Sequence, residues 1–266
     1  MKPVAFAYAR PASIAGAIAL LGQEPGGRII AGGQTLGPML NLRLARPTHL
    51  VDITRIPELV RVEETTDAVT LGAGITHAAI EDGRVPDVTN GFLAHVAEGI
   101  AYRAVRNRGT IGGSLANGDP AADWIAVFAA LDASVVIEGA KGSRRVGILA
   151  LVKGAMQTDL AHDEILTGVR IPRLEPGARW GFHKVCRKTG EFADAIGVVV
   201  DQGHGERRAI AGATGGAPIA VNLRPGTTDV DACRRALADA GYAGDAYDLQ
   251  IHAVALARAC AAAGAA

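Results

Sequence analysis

Twice in this chain two adjacent glycines follow an apolar residue and precede a short polar one: Ala31-Gly32-Gly33-Gln34-Thr35 and Thr110-Ile111-Gly112-Gly113-Ser114. Glycine takes positive φ at little steric cost and lets backbone approach a neighbour closely. Consecutive amides unobstructed by Cβ can form a concave nest for an anion. Gln34, Thr35, Thr110 and Ser114 add side-chain donors. Two such loops can embrace a pyrophosphate without any lysine, but the same pattern also makes two unrelated tight turns. Glycine is plentiful throughout, 34 of 266 residues against a usual share of roughly 7%. Composition therefore leaves both readings open.

The surrounding pattern sets the elements. Ser13 precedes an apolar-periodic run, Ile14 to Leu21, and reads as a helix cap. Arg28 to Ala31 and Thr48 to Ile53 read as short apolar strands, so a small α/β unit opens the chain. "AVTLGAGIT" (Ala68 to Thr76) is a strand running into a turn, with Thr76 placed to cap a short helix. Phe92 to Ala104 and Ala121 to Asp132 have helical spacing. "SVVIEG" is a strand, and "SRRVGILAL" its returning partner or flank. "DEILTGVRIPRLEPG" (Asp163 to Gly177) is a strand ending in Pro and Gly, where a domain boundary is expected. Three strands, "RWGFHKVCRK", "ADAIGVVVDQ" and "ERRAIAGATGG", then precede two helices, Thr228 to Ala240 and Asp248 to Ala263. Strands followed by helices indicate an α+β unit.

Composition excludes several function classes. Lys and Arg balance Asp and Glu at 27 each, so no global field draws nucleic acid or anionic lipid. Cys186, Cys233 and Cys260 are widely spaced, which argues for reduced thiols in a cytoplasmic protein. No run is long and apolar enough for a membrane span, and Met1-Lys2-Pro3 does not open a signal peptide. P-loop and H-E-x-x-H patterns are absent. Gly72-x-Gly74 lacks its third small residue, since His77 stands there, and reads mainly as a turn. Neither a catalytic nucleophile–base set nor a metal-ligand set is expected, and His49, His77 and His183 read as structural.

Asp119-Pro120 reads as a helix N-cap followed by proline at the first helical position. Asp123, one turn further on, either complements the helix dipole or faces a ligand; local physics leaves it undecided. Arg103, Arg106 and Arg108 form a basic run that reads as a solvated face or partner surface in preference to a phosphate site.

At this point the residues resemble a family. "AGGQTLGPMLNLRLARPTHLVDI" and "VRNRGTIGGSLANGDPAADW" look like the two signatures of the FAD-binding, or medium, subunit of molybdenum hydroxylases, the group that includes carbon monoxide dehydrogenase and xanthine-dehydrogenase-type enzymes. "HKVCRKTGEFADAIGVV" is similar to the start of that family's last domain. The resemblance covers nearly the whole chain.

It implies an α+β fold: a two-part α/β FAD-binding domain of the vanillyl-alcohol oxidase type (residues 1–175), then a small α+β domain with an antiparallel sheet and helices (176–266). It also implies roles. Ala31, Gly32, Gly33, Gln34 and Thr35, with Thr110, Ile111, Gly112, Gly113 and Ser114, would hold the FAD pyrophosphate. Ile30 and Leu115 would be apolar walls, Asp123 would contact the ribityl and flavin portion, and Lys184 would lie near the flavin. Asn117 and Gly118 depart from the family's commoner residues, and no contact is assigned to them. The chain would transfer electrons from two [2Fe–2S] clusters on a small iron–sulfur subunit to an external acceptor. A large molybdopterin subunit would act on the substrate, and the assembly would be a cytoplasmic dimer of heterotrimers. The alternatives are a free-standing flavin oxidase or dehydrogenase of the same fold and a non-redox binding module. The oxidase would need a substrate cap, for which the C-terminal segment is short and poor in aromatics.

Overall fold

The computed structural model describes residues 2–203 and 205–265. Strand β1 (Ala7–Ala9), helix α1 (Ile14–Gln23), β2 (Gly27–Ile30), α2 (Leu36–Asn41) and β3 (His49–Asp52) form a parallel sheet in the order β1-β3-β2. Ser13 caps α1 as expected: its hydroxyl accepts from the Gly16 amide at 3.2 Å. Ala17 and Leu21, four residues apart, lie on one face of α1 and are buried.

A 3-10 turn (Pro57–Val60) leads into β4 (Val62–Glu64) and β5 (Ala68–Gly72). Five short helices follow: α3 (His77–Glu81), α4 (Phe92–Glu98), α5 (Arg103–Arg106), α6 (Ile111–Asn117) and α7 (Asp123–Ala130). Then come β6 (Ser134–Gly139), β7 (Gly142–Gly147), α8 (Ile148–Leu151), the small hairpin β8 (Val152–Gly154) and β9 (Gln157–Thr158), and β10 (Ile165–Pro172). The second sheet is antiparallel, in the order β4-β5-β10-β6-β7. Its central strand β10 is buried over most of its length, as its run of apolar residues requires.

The third sheet is also antiparallel: β11 (Arg179–Val185), β12 (Ala195–Gly203), β13 (Glu206–Gly212) and β14 (Ile219–Val221), in that order. Helices α9 (Val230–Asp239) and α10 (Ala246–Ala265) close the chain. Helix α10 packs on β11 and β12, while α7 packs against β12 and β13. Trp180 of β11 stacks on Phe92 of α4 with ring centroids 4.7 Å apart, and its indole N–H donates to Asn90 O at 3.0 Å. One large core runs through α7 and all three large sheets. Cys233 and Cys260 are buried free thiols in a smaller second core.

Three expectations are corrected. Phe92 to Ala104 is not one helix. It breaks between α4 and α5 at Ala101, whose φ is +46°. The buried Arg106 holds the break by donating to the carbonyls of Ile100 and Ala101 at 3.0 and 3.1 Å. Asp119 does not cap α7, which starts at Asp123 behind an extended Ala122. Asp119 instead accepts from the Ala121 amide at 3.0 Å in a local turn, and the Pro120 carbonyl is taken by the Ala213 amide at 3.1 Å. "SRRVGILAL" is a strand only as far as Gly147 and then turns into α8.

Candidate cofactor site

In parallel α/β sheets ligands gather where the strands end at their carboxyl side. The first glycine loop leaves the sheet at that edge, directly after Ile30, which pairs with Asp52. Gly33 has φ +71°, which a side chain would oppose. Gly32 is needed for a different reason: a Cβ there would stand 2.1 Å from the carbonyl oxygen of Arg108. The loop turns so sharply that the amides from Ala31 to Thr35 find no acceptor among the described residues. The Gln34 side chain steadies the turn by donating to Gly32 O at 3.0 Å. Thr35 begins α2 without a side-chain cap bond.

The second glycine pair has a different structure. Gly112 and Gly113 lie in the first turn of α6, not in a nest. Thr110 caps this helix, accepting from the Gly113 amide at 3.1 Å through its hydroxyl and from the Ser114 amide at 3.0 Å through its carbonyl. The Ile111 amide donates to Ile75 O at 3.0 Å and the Gly112 amide to Ala73 O at 2.9 Å. These four amides are therefore already spent. Gly112 is required by packing, since a Cβ would meet that of Ala73 at 2.4 Å. Gly113 is exposed and faces the first loop: the Ala31 Cβ lies 3.9 Å from where its own would stand. Ile111 and Leu115 are fully buried in the core, so neither presents a side-chain wall to a ligand. Ile30 is partly buried.

The second loop rests on the segment Gly72 to His77, whose sequence reads as a plain turn. Besides the two bonds to Ala73 and Ile75, the His77 amide donates to Gly109 O at 3.0 Å. Thr76 caps α3 as expected, accepting from the Ala79 amide at 3.2 Å. The segment's glycines were its visible signal: a Cβ at Gly72 or Gly74 would stand 2.4 or 2.9 Å from Leu59 O. The His77 ring is buried, and its Nδ1 accepts the indole N–H of Trp124 at 3.0 Å. Burial, with help from the charge of Arg106, lowers the imidazole pKa to about 4. The ring is therefore neutral near neutral pH.

Asp123 and Lys184, expected separately near the flavin, meet each other. The Lys184 ammonium lies 3.0 Å from both carboxylate oxygens, and the side chains are 9% and 7% exposed. The pair joins the start of α7 to β11 in the third sheet. Burial pushes the Asp123 carboxyl above its ordinary range, while the Lys184 charge pulls it down. The arginine run is divided. Arg103 and Arg106 pair with Glu81 and Asp82, and Arg106 is buried rather than solvated; the Arg108 side chain stays on the surface. Among the described residues no group of three or more His, Cys, Asp or Glu is arranged to hold a metal ion.

Five free amides in one turn, with no side chain at Gly33 within it or at Gly113 beside Ala31, fit the phosphates of a dinucleotide. The comparisons agree in kind. A family model described as "FAD binding domain in molybdopterin dehydrogenase" matches residues 4–174. The chain belongs to this family. This FAD-binding chain is an oxidoreductase component, and it is 38% identical over 231 residues to the nicotine 6-hydroxylase medium subunit of Paenarthrobacter nicotinovorans. That match spans 86% of this chain and 81% of the relative. It is 39% identical over 201 residues to the carbon monoxide dehydrogenase medium chain of Hydrogenophaga pseudoflava, 75% of this chain and 70% of that one. A solved structure of carbon monoxide dehydrogenase from Hydrogenophaga pseudoflava, lacking the Mo-pyranopterin moiety of its cofactor, superposes with a TM-score of 0.89 at 34% identity. The superposition covers all of this chain and 99% of that one. Among the described residues no helix is long and apolar enough to cross a membrane.

Proposed function

We propose that this chain is the FAD-carrying electron-transfer subunit of a heteromeric molybdenum hydroxylase. It receives electrons from [2Fe–2S] clusters on a small subunit and passes them to an external acceptor, while a large molybdopterin subunit acts on the substrate. The observation that carries the reading is the run of unpartnered amides from Ala31 to Thr35 facing Gly113. On this reading residues 1–175 form the FAD domain, of the vanillyl-alcohol oxidase type, and 176–266 a second α+β domain. The complex is a cytoplasmic dimer of heterotrimers. The names of the relatives, medium subunit and medium chain, support a multi-subunit assembly.

Bound FAD supplies both one- and two-electron steps. The chain's own work is to hold and orient it. Amides 31–35 would donate to the pyrophosphate oxygens. Gly33 and Gly113 leave room for the phosphates, and Thr35 and Ser114 add hydroxyls. The Asp123–Lys184 pair fixes β11 against α7, beside which the flavin end would be held. Lining the flavin is then a matter of shape and dipoles, with no acid or base from this chain reacting with substrate.

The test is FAD binding by the full chain, followed by quenching of flavin fluorescence, for the wild type, Gly33→Val and Gly113→Val. The expected result is tight binding by the wild type and at least a hundredfold loss in both variants, with far-UV circular dichroism retained. Equal flavin content in all three would overturn the cradle.

A further inference from the structure

The second loop and α7 come from different stretches of chain, and one buried side chain touches both α7 and the residue leading into that loop. The His77 ring lies against Gly109, immediately before the second loop. A Cβ at Gly109 would stand 2.9 Å from both Cδ2 and Nε2 of that ring. The His77 amide binds Gly109 O, and its Nδ1 accepts the indole N–H of Trp124, the neighbour of Asp123. Trp124 is 1% exposed and stacks on Phe128 with centroids 5.1 Å apart. Its only polar group therefore has one partner and no water to replace it.

We infer that His77 is a positioning residue for the cofactor: by accepting the Trp124 N–H it locks the second glycine loop and the start of α7, with Asp123, into one relative placement. The inference rests on the FAD reading above. An indole is a donor only, so Nδ1 must be the bare nitrogen and Nε2 must carry the proton. A ring protonated on both nitrogens would turn Nδ1–H against the indole N–H and break the contact. When the bond is absent, the loop and α7 sample other placements. FAD binds only the fraction with the loop in place, so its apparent affinity falls by that fraction. Gly32 carries the effect to the first loop, because its Cα sits against the Arg108 carbonyl one residue before Gly109.

The experiment measures the FAD dissociation constant of the full chain for five proteins: wild type, His77→Leu, His77→Asn, Trp124→Phe, and the double variant His77→Leu/Trp124→Phe. Leu removes the acceptor, and Phe removes the donor while keeping most of the ring. Asn places an amide oxygen where Nδ1 was. An orphaned buried donor predicts a loss of roughly 10- to 100-fold for His77→Leu. Trp124→Phe is expected to lose affinity as well. The double variant should be no worse than the worse single, since both break the same bond, and His77→Asn should recover most of the affinity. Should His77→Leu fail to fold, Trp124→Phe and His77→Asn still give the comparison. Unchanged FAD affinity in the variants, alongside lowered thermal stability, would show that the bond is only structural and overturn the inference. A wild type that binds no FAD would instead overturn the cofactor reading.

Discussion

Replacing Lys184 by methionine should be the most damaging single change at the seam between α7 and the third sheet. The substitution keeps length and apolar contact but leaves the Asp123 carboxylate buried without its ammonium, which lay 3.0 Å from both oxygens. Removing one partner of a buried ion pair typically costs about 3–5 kcal/mol, because the other charge is stranded. An unfolding entropy of ~2.1 cal/mol/K per residue over 266 residues puts the slope near ~0.6 kcal/mol per degree. The variant should therefore melt about 5–9 °C below the wild type. The effect should also depend on pH. Burial raises the Asp123 carboxyl, and Lys184 is what opposes it, so the variant's carboxyl titrates higher still. A group whose folded pKa exceeds its unfolded value favours folding below the unfolded value and loses that contribution as pH rises through the folded one. The deficit should thus be largest at pH 7 and shrink toward pH 4. Differential scanning fluorimetry at both pH values, with the double variant Asp123→Leu/Lys184→Met completing a cycle, measures it. The double variant should lie within about 1–2 kcal/mol of the wild type, since an apolar pair often replaces a buried ion pair at little cost. A cost below about 1 kcal/mol for Lys184→Met, or a double variant as damaged as the two singles added together, would refute the view that the pair is a buried, mutually dependent clasp.

Two further outcomes follow from the geometry. Gly32→Ala must move backbone, because its Cβ would stand 2.1 Å from Arg108 O, whereas Gly37→Ala in α2 meets nothing within 4 Å. The first should lower stability and abolish FAD binding, and the second should leave binding unchanged and stabilise by up to about 1 kcal/mol, as denaturant titration and flavin fluorescence would show. His77 is held near pKa 4 against an ordinary 6.5, first by burial and then by the Arg106 charge. Its folded pKa is depressed, so stability should fall as pH drops below 6.5 toward 4, by as much as ~3 kcal/mol. Urea denaturation at pH 7 and pH 4.5 measures that slope, and His77→Asn should flatten it.

What could be read from the sequence was what local chemistry decides. Ser13 and Thr76 announce their helices because a cap is a contact over three residues. Strands β10 and β12 are visible in their β-branched runs. Strand β1 was not, since Ala7-Tyr8-Ala9 is a strand only by pairing with His49 to Val51. Helix α6 was hidden behind two glycines that disfavour helix. It forms because the Ile75 and Ala73 carbonyls and the Thr110 cap collect its first amides. The true reason for Gly32 lies 76 positions away, at Arg108. Asp123 and Lys184 are 61 residues apart, and nothing in either neighbourhood names the other as partner. For the site, the sequence pointed to both glycine pairs but did not show that one is an open turn and the other the first turn of a helix.

That division has a consequence for how the site behaves in solution. The hold that residues 31–35 would offer a phosphate, on the proposed reading, comes from peptide N–H groups. Such donors carry no titratable proton and no mobile counterion. An anchor of this kind grips a phosphate with equal strength at pH 5 and pH 9. It also gives up far less to added salt than a lysine or arginine clamp would, because there is little ion atmosphere to displace. On the proposed reading, the phosphate end of the cofactor would therefore stay fixed while the protonation and charge at its working end change.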